Sequence, residues 1–213
     1  MNPKTHIIKY FVFGFLVLLV ASKSLAQSET SKVKAQIALG INHPSADGFV
    51  ATFLGKSLNF PTVNLGFQYM FKPRLGAKLD YGFNRISNVI TSPEFKLNYS
   101  RINVQLVYDA SRLINFSYRM GTFIHLGPGM SFIKPLGNYG NNDTSFFNGM
   151  GGIEWHYGMS DSLTLFLDTS YIMAFDEDFN PMSSGFGSFN GNLLTINFGV
   201  SISLSGCYFC GNR

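Results

Sequence analysis

The sequence predicts an all-β protein, a single eight-stranded antiparallel up-and-down barrel that crosses a membrane on its strands. Three observations carry this reading. Segments alternate apolar and polar side chains with a period of two, the pattern of a strand with one greasy and one polar face. Charged residues are 13% of the chain, aromatics 15%, and glycines number 22, whereas a soluble surface alone carries roughly 25–35% charge. The links between segments run alternately long and short.

The clearest unit is the hairpin Gly152 to Phe175. Ile153, Trp155 and Tyr157 alternate with Gly152, Glu154 and His156. After the turn at 158–162, Leu163, Leu165, Leu167, Tyr171 and Met173 alternate with Thr164, Phe166, Asp168 and Ser170. Each arm is close to the ~9–11 residues with which a tilted strand crosses a bilayer. The same unit recurs, giving expected strands at 33–42, 62–71, 75–84, 97–108, 113–126, 147–157, 163–175 and 192–204.

The remaining strands follow the same rule. The first sets Val33, Ala35, Ile37, Leu39 and Ile41 against Lys34, Gln36 and Gly40; the second sets Val63, Leu65, Phe67, Tyr69 and Phe71 against Asn64, Gly66, Gln68 and Met70. The third opposes Leu75, Ala77, Leu79, Tyr81 and Phe83 to Gly76, Lys78, Asp80 and Gly82. In the fourth, Ile102, Val104, Leu106 and Tyr108 oppose Arg101, Asn103 and Gln105. The fifth sets Ile114, Phe116, Tyr118, Met120 and Ile124 against Asn115, Ser117, Arg119 and Gly121. The eighth alternates Leu194, Ile196, Phe198, Val200 and Ile202 with Thr195, Asn197, Gly199 and Ser201.

Long links at 43–60, 85–96, 127–146 and 176–191 are separated by short ones at 72–74, 109–112 and 158–162. Short periplasmic turns and longer outer loops are the asymmetry of an outer-membrane barrel. An even strand number then places both ends of the barrel in the periplasm. Closure removes the sheet edges that lipid does not tolerate.

Residues 1–26 have the form of a signal peptide: Lys4 and Lys9, an apolar core from Phe11 to Ala21, and the small-x-small site Ser24-Leu25-Ala26. The uninterrupted apolar run is short of the ~20 residues a transmembrane helix needs. Residues 27–213 are expected to form the barrel domain. No cysteine follows the cleavage site before Cys207, so no lipoprotein anchor is expected. Removing Lys4, Lys9 and Lys23 leaves 16 − 3 = 13 basic against 12 acidic residues, a net charge that does not indicate nucleic acid.

A soluble barrel of lipocalin type would turn its greasy face inward. The polar face here is rich in Gly, Ser, Asn and Gln with scattered charges, the makeup of a crowded interior rather than a solvated exterior. The greasy face keeps Tyr69, Phe71, Tyr108, Trp155 and Tyr157 toward the short turns and Phe83, Tyr171 and Phe175 toward the long loops. Those two groups correspond to interfacial girdles.

Three stretches carry a family resemblance: Arg101-Ile102-Asn103-Val104-Gln105-Leu106-Val107-Tyr108, Phe123-Ile124-His125-Leu126-Gly127-Pro128-Gly129, and Gly199-Val200-Ser201-Ile202-Ser203-Leu204. With them the chain resembles the small eight-stranded outer-membrane barrels, most of all the OmpA-type transmembrane barrel in its Bacteroidetes forms. Many OmpA-type proteins add a periplasmic peptidoglycan-binding domain. This sequence ends nine residues past Leu204, so that activity is not expected.

Some barrels of this size modify lipid A with a His and a Ser near the outer rim, and the deacylase pattern is His-x-Ser. Here Leu126 and Gly127 follow His125, so the nucleophile is missing at that spacing. A structural His125 is expected, with Ser131 and Ser170 as the serines to test. His156 lies close to a short turn. No catalytic, cofactor-binding or metal site is expected. Asp176-Glu177-Asp178 lacks the spaced ligands of a calcium loop and is expected to be solvated. Phe179, Phe186 and Phe189 fit either packing on the rim or contact with an external partner. Cys207 and Cys210 supply too few ligands for zinc; in the oxidising periplasm they form a tail disulfide or stand idle.

The expected occupant of the lumen is a belt of charge. Counted upward from the short turns, Asp80, Arg101, Arg119, Glu154 and Asp168 lie at similar heights. Buried charges must be paired. Strand adjacency suggests Asp80 with Arg101 and Arg119 with Glu154, with Asp168 sharing Arg119. The expected protein is a monomer in contact with outer-membrane lipid and lipopolysaccharide. It has no open pore, since side chains just fill barrels of this size. The sequence names no extracellular partner.

Overall fold

The computed structural model describes residues 31–114, 117, 119–176, 179 and 184–206. The expected signal peptide lies outside them, as do Cys207, Cys210, Glu177 and Asp178. Eight strands carry the described chain: β1 Val33–Pro44, β2 Asn59–Lys72, β3 Leu75–Ser87, β4 Lys96–Asp109, β5 Met120–Pro135, β6 Thr144–Gly158, β7 Leu163–Phe175 and β8 Leu193–Ser203. They form one closed barrel in chain order. The seam between β1 and β8 is antiparallel and continuous from Lys34 opposite Ser203 to Pro44 opposite Leu193.

The alternation sets the two faces. Ile37, Leu39, Phe67, Val104, Leu126 and Phe198 are exposed on the outside, while Gln36, Asn64, Gln68, Asn103, Gln105 and Asn197 are buried inside. That is the inverse of a soluble barrel. It is stable only where the outer solvent is hydrocarbon, which accepts apolar side chains and no unpaired backbone.

The fifth strand departs from expectation at both ends. It begins at Met120, not 113, and runs to Pro135 rather than stopping at 126. A four-residue turn at 109–112 would place Tyr108 opposite Leu113, which sets outward positions of one strand against the face opposite to Ile114 and Ile124. A slip that mixes faces is disfavoured when one face is buried. The observed register puts Tyr108 opposite Ile124 and Val107 opposite His125, outward with outward and inward with inward. Two sets of turn hydrogen bonds lie in the described part of this link: the Leu113 and Ile114 amides donate to the Ala110 carbonyl at 2.8 and 3.0 Å, and the Met120 amide to Ser117 at 3.0 Å.

At the other end, Gly127-Pro128-Gly129 has the look of a loop, yet it lies within the sheet. A Cβ on Gly127 would stand 2.0 Å from the Val104 carbonyl oxygen, and one on Gly129 2.4 Å from that of Ile102. These glycines permit close backbone approach inside a strand. The third long loop therefore shrinks to residues 136–143, and β6 starts at Thr144.

Candidate functional site

The candidate site is the lumen. Its buried formal charges are Lys34, Lys78 and Arg101 against Asp80, Glu154 and Asp168 among the described residues, so they cancel. Ladder register brings them together. Asp80 on β3 stands opposite Asn103 on β4, and Arg101 projects inward two residues further along. Its guanidinium lies over Gly82, where a Cβ would come within 2.7 Å of Arg101 Nε. A small residue thus makes room for a large one on the facing strand.

Arg101 Nη1 donates to Asp80 Oδ2 at 2.5 Å and to Asn103 Oδ1 at 3.0 Å, and Nη2 donates to Asn64 Oδ1 at 2.8 Å. Asp80 also accepts from Asn64 Nδ2 at 3.1 Å. Lys78 reaches across the barrel from β3 to β6, with Nζ 2.5 Å from Glu154 Oε1 and 3.5 Å from Asp80 Oδ1. The second Glu154 oxygen meets Gln36 Nε2 at 2.9 Å and His156 Nε2 at 2.7 Å. Asp168 accepts from Ser170 Oγ at 2.7 Å and Asn197 Nδ2 at 3.2 Å, and faces His125 Nε2 at 3.1 Å. Lys34 lies over the Phe123 ring, 4.4 Å from its centre. Charges removed from water persist only with such multiple partners.

Of the five residues expected in the belt, Asp80, Arg101, Glu154 and Asp168 are buried there and Arg119 is not. Because β5 begins one residue later, Arg119 is an exposed turn residue, and its carbonyl accepts the Gly158 amide at 2.9 Å. Lys78 takes its place beside Glu154. Asp168, expected to share Arg119, is held instead by His125, Ser170 and Asn197. Lys78, Lys34 and Gln36 were legible as inward residues from their parity. Their partners were not, because a long side chain spans the lumen while strand adjacency considers only neighbours.

Two chemistries can be weighed on this geometry. The ligand atoms of His125, Glu154 and Asp168 lie within 4.8 Å of one another, a spacing open to a metal ion. Both Glu154 oxygens are already engaged, however, and a divalent ion there would sit beside the Lys78 ammonium. The second chemistry is nucleophilic. Ser170 Oγ lies 3.4 Å from His125 Nε2, but the same ring nitrogen faces Asp168 and Nδ1 has no partner. A Ser-His-Asp relay needs the hydroxyl and the carboxylate on opposite ring nitrogens. Ser131 is committed to Tyr99 at 2.7 Å and Asn148 at 2.8 Å.

Apolar layers pack in the lumen above and below the belt. At the loop end, inward residues including Ile86, Leu97, Tyr99, Phe146 and Leu193 meet loop residues Phe49, Phe53, Phe95 and Phe189 in one buried cluster. The Phe49 and Phe189 rings are 4.8 Å apart, and Phe53 meets Tyr139 edge-on at 5.3 Å. Phe189 and Phe186, open between rim and partner in the sequence, both pack into this cap. Toward the short turns, His156 stacks on Phe166 at 5.1 Å and meets Phe123 at 4.9 Å.

The barrel is similar to several solved structures. Neisserial surface protein A aligns with a TM-score of 0.54 at 13% identity, covering 80% of this chain and 95% of that one. OprG from Pseudomonas aeruginosa aligns at 0.55 and 10% identity, covering 82% and 97%. Ail of Yersinia pestis, crystallised with the heparin analogue sucrose octasulfate, aligns at 0.52 and 12% identity, covering 81% and 98%. No curated protein sequence matches the chain. The family model of the outer membrane protein β-barrel domain matches residues 13–201, and the chain belongs to that family.

Proposed function

We propose that this protein is a closed, non-conducting barrel of the outer membrane with a structural or surface-interaction role, acting as a monomer in contact with lipid and lipopolysaccharide. Its long loops face outward, and both ends of its barrel domain face the periplasm. The observation that carries this reading is the filling of the lumen from end to end: rings below, a paired charge belt at mid-height, an aromatic cap above. A barrel of eight strands is just wide enough for side chains such as these to fill it.

Planar bilayers test the closed state. The purified protein is expected to show no steady conductance, and porin-like steps would overturn the reading. A tag beside Asn141 is expected to be accessible on intact cells, while a tag within residues 160–162 is not; the reverse labelling would overturn the orientation. The non-enzyme reading is supported by Ser170 donating its proton to Asp168 rather than lying in a relay. Incubation with lipid A is expected to leave the lipid's mass unchanged.

A further inference from the structure

We propose that the outward face of β3, β4 and β5, at the loop end, docks the phosphorylated sugar headgroup of an outer-leaflet glycolipid. This rests on the orientation proposed above. A lateral groove of about 530 Å³ opens on that face. Tyr81, Phe83, Asn98, Ser100, Phe132 and Lys134 line it, and the ladders set them in three rows with Arg85, Ile102 and Met130 as flanking neighbours. The lowest is apolar: Tyr81, Ile102 and Met130. The middle row is Phe83, Ser100, Phe132 and Ser145, two aromatic ridges with small hydroxyl residues beside them. The top row is Arg85, Asn98 and Lys134, and Lys96 is exposed two residues beyond Asn98 on β4.

The order of the rows matches the depth profile of a membrane interface: acyl chains, aromatic girdle, then charged headgroups. The corrugated middle row offers a slot for an acyl chain. None of Arg85, Lys96 and Lys134 makes an ion pair among the described residues. The acids in the vicinity are Asp143, which borders the groove, and Glu94 of the 88–95 loop.

The exposed side chains of the top row point to the ligand's chemistry. Arg85 Nε and Asn98 Oδ1 are shielded from solvent and have no hydrogen-bond partner. Those two atoms are out of a ligand's reach; the exposed Lys96 and Lys134 ammonium groups match phosphate oxygens, and the Asn98 amide and Ser100 hydroxyl that line the groove match sugar hydroxyls. A phosphorylated sugar carries both. The feature is local to this wall. At the same end of the opposite wall, the outward residues are Tyr171, Met173 and Phe175 on β7, Leu194 and Ile196 on β8, and Ile41 on β1. The only polar outward side chain at that end of β1 is His43, held by the Ser57 carbonyl at 2.6 Å.

Native mass spectrometry of the detergent-purified full chain, incubated with bis-phosphorylated lipid A, tests the site. The double variant Arg85→Gln/Lys134→Gln is expected to retain about tenfold less lipid, equivalent to ~1.4 kcal/mol. Lys72→Gln, at the other end of the barrel, is expected to retain it fully. Ser100→Phe fills the slot without changing charge and is expected to lower retention as well. Heat-modified gel migration reports whether each variant is folded. Equal retention by wild type and the double variant, or equal binding of enzymatically dephosphorylated lipid A, would overturn the site. Displacement of the lipid by inorganic phosphate alone would overturn the glycolipid as occupant. Binding in detergent is indifferent to which way the barrel faces, so reversed tag labelling with lipid retention intact removes only the orientation.

Discussion

The middle of the lumen and its loop end are both buried, yet opposite physics packs them. At mid-height, Lys78, Arg101, Asp80 and Glu154 form a network in which each charge depends on the next. At the loop end, Phe49, Phe53, Phe95 and Phe189 pack by contact alone. A paired ion is costly when its partner is lost, because the remaining charge stays buried. An aromatic cluster built on loops can loosen locally without unfolding the strands beneath. The belt is therefore expected to set the stability of the barrel, and the cap that of its loop end.

That contrast can be broken most directly at the belt. Arg101→Ala leaves Asp80 facing only Lys78 and Asn64, and the barrel is expected to lose on the order of 3–5 kcal/mol, the usual result of breaking a buried pair. Chemical unfolding in detergent, followed by intrinsic fluorescence, reads this as a lowered midpoint. An unchanged midpoint would mean that the belt contributes nothing to stability. The double variant Lys78→Met/Glu154→Leu removes both charges together and is expected to fall well short of that loss.

A smaller global effect is expected at the cap. Phe189→Ala creates a void of the kind that costs ~3–5 kcal/mol in a rigid core, but here local opening absorbs much of it. The variant is expected to unfold near the wild-type midpoint while hydrogen exchange quickens in the 45–58 and 184–192 segments. A midpoint loss equal to that of Arg101→Ala would show that cap and belt are one cooperative unit. The smallest effect is expected at Arg119→Ala. Its side chain is exposed in a turn, so it should match Arg74→Ala within error. A large loss there would return Arg119 to the lumen.

The sequence alone determined the strand count, the facing of nearly every strand residue and the burial of Asp80, Arg101, Glu154 and Asp168. Period-two alternation is a local property, and burial of one face makes parity decisive. It also carried the family, since few charges and many aromatics suit only a lipid-facing exterior. The β4–β5 hairpin was misread because the sequence alternates on both sides of Met120, and only the pairing of Tyr108 with Ile124 sets where the strand begins. The partners of the belt were hidden for a related reason. Lys78 finds Glu154 across the lumen, and Asp168 finds His125 and Ser170. Such contacts depend on the barrel's diameter and stagger, which no single strand encodes. The groove on β3 to β5 is likewise a product of register: Arg85, Asn98 and Lys134 are separate in the chain and adjacent only because two ladders align them.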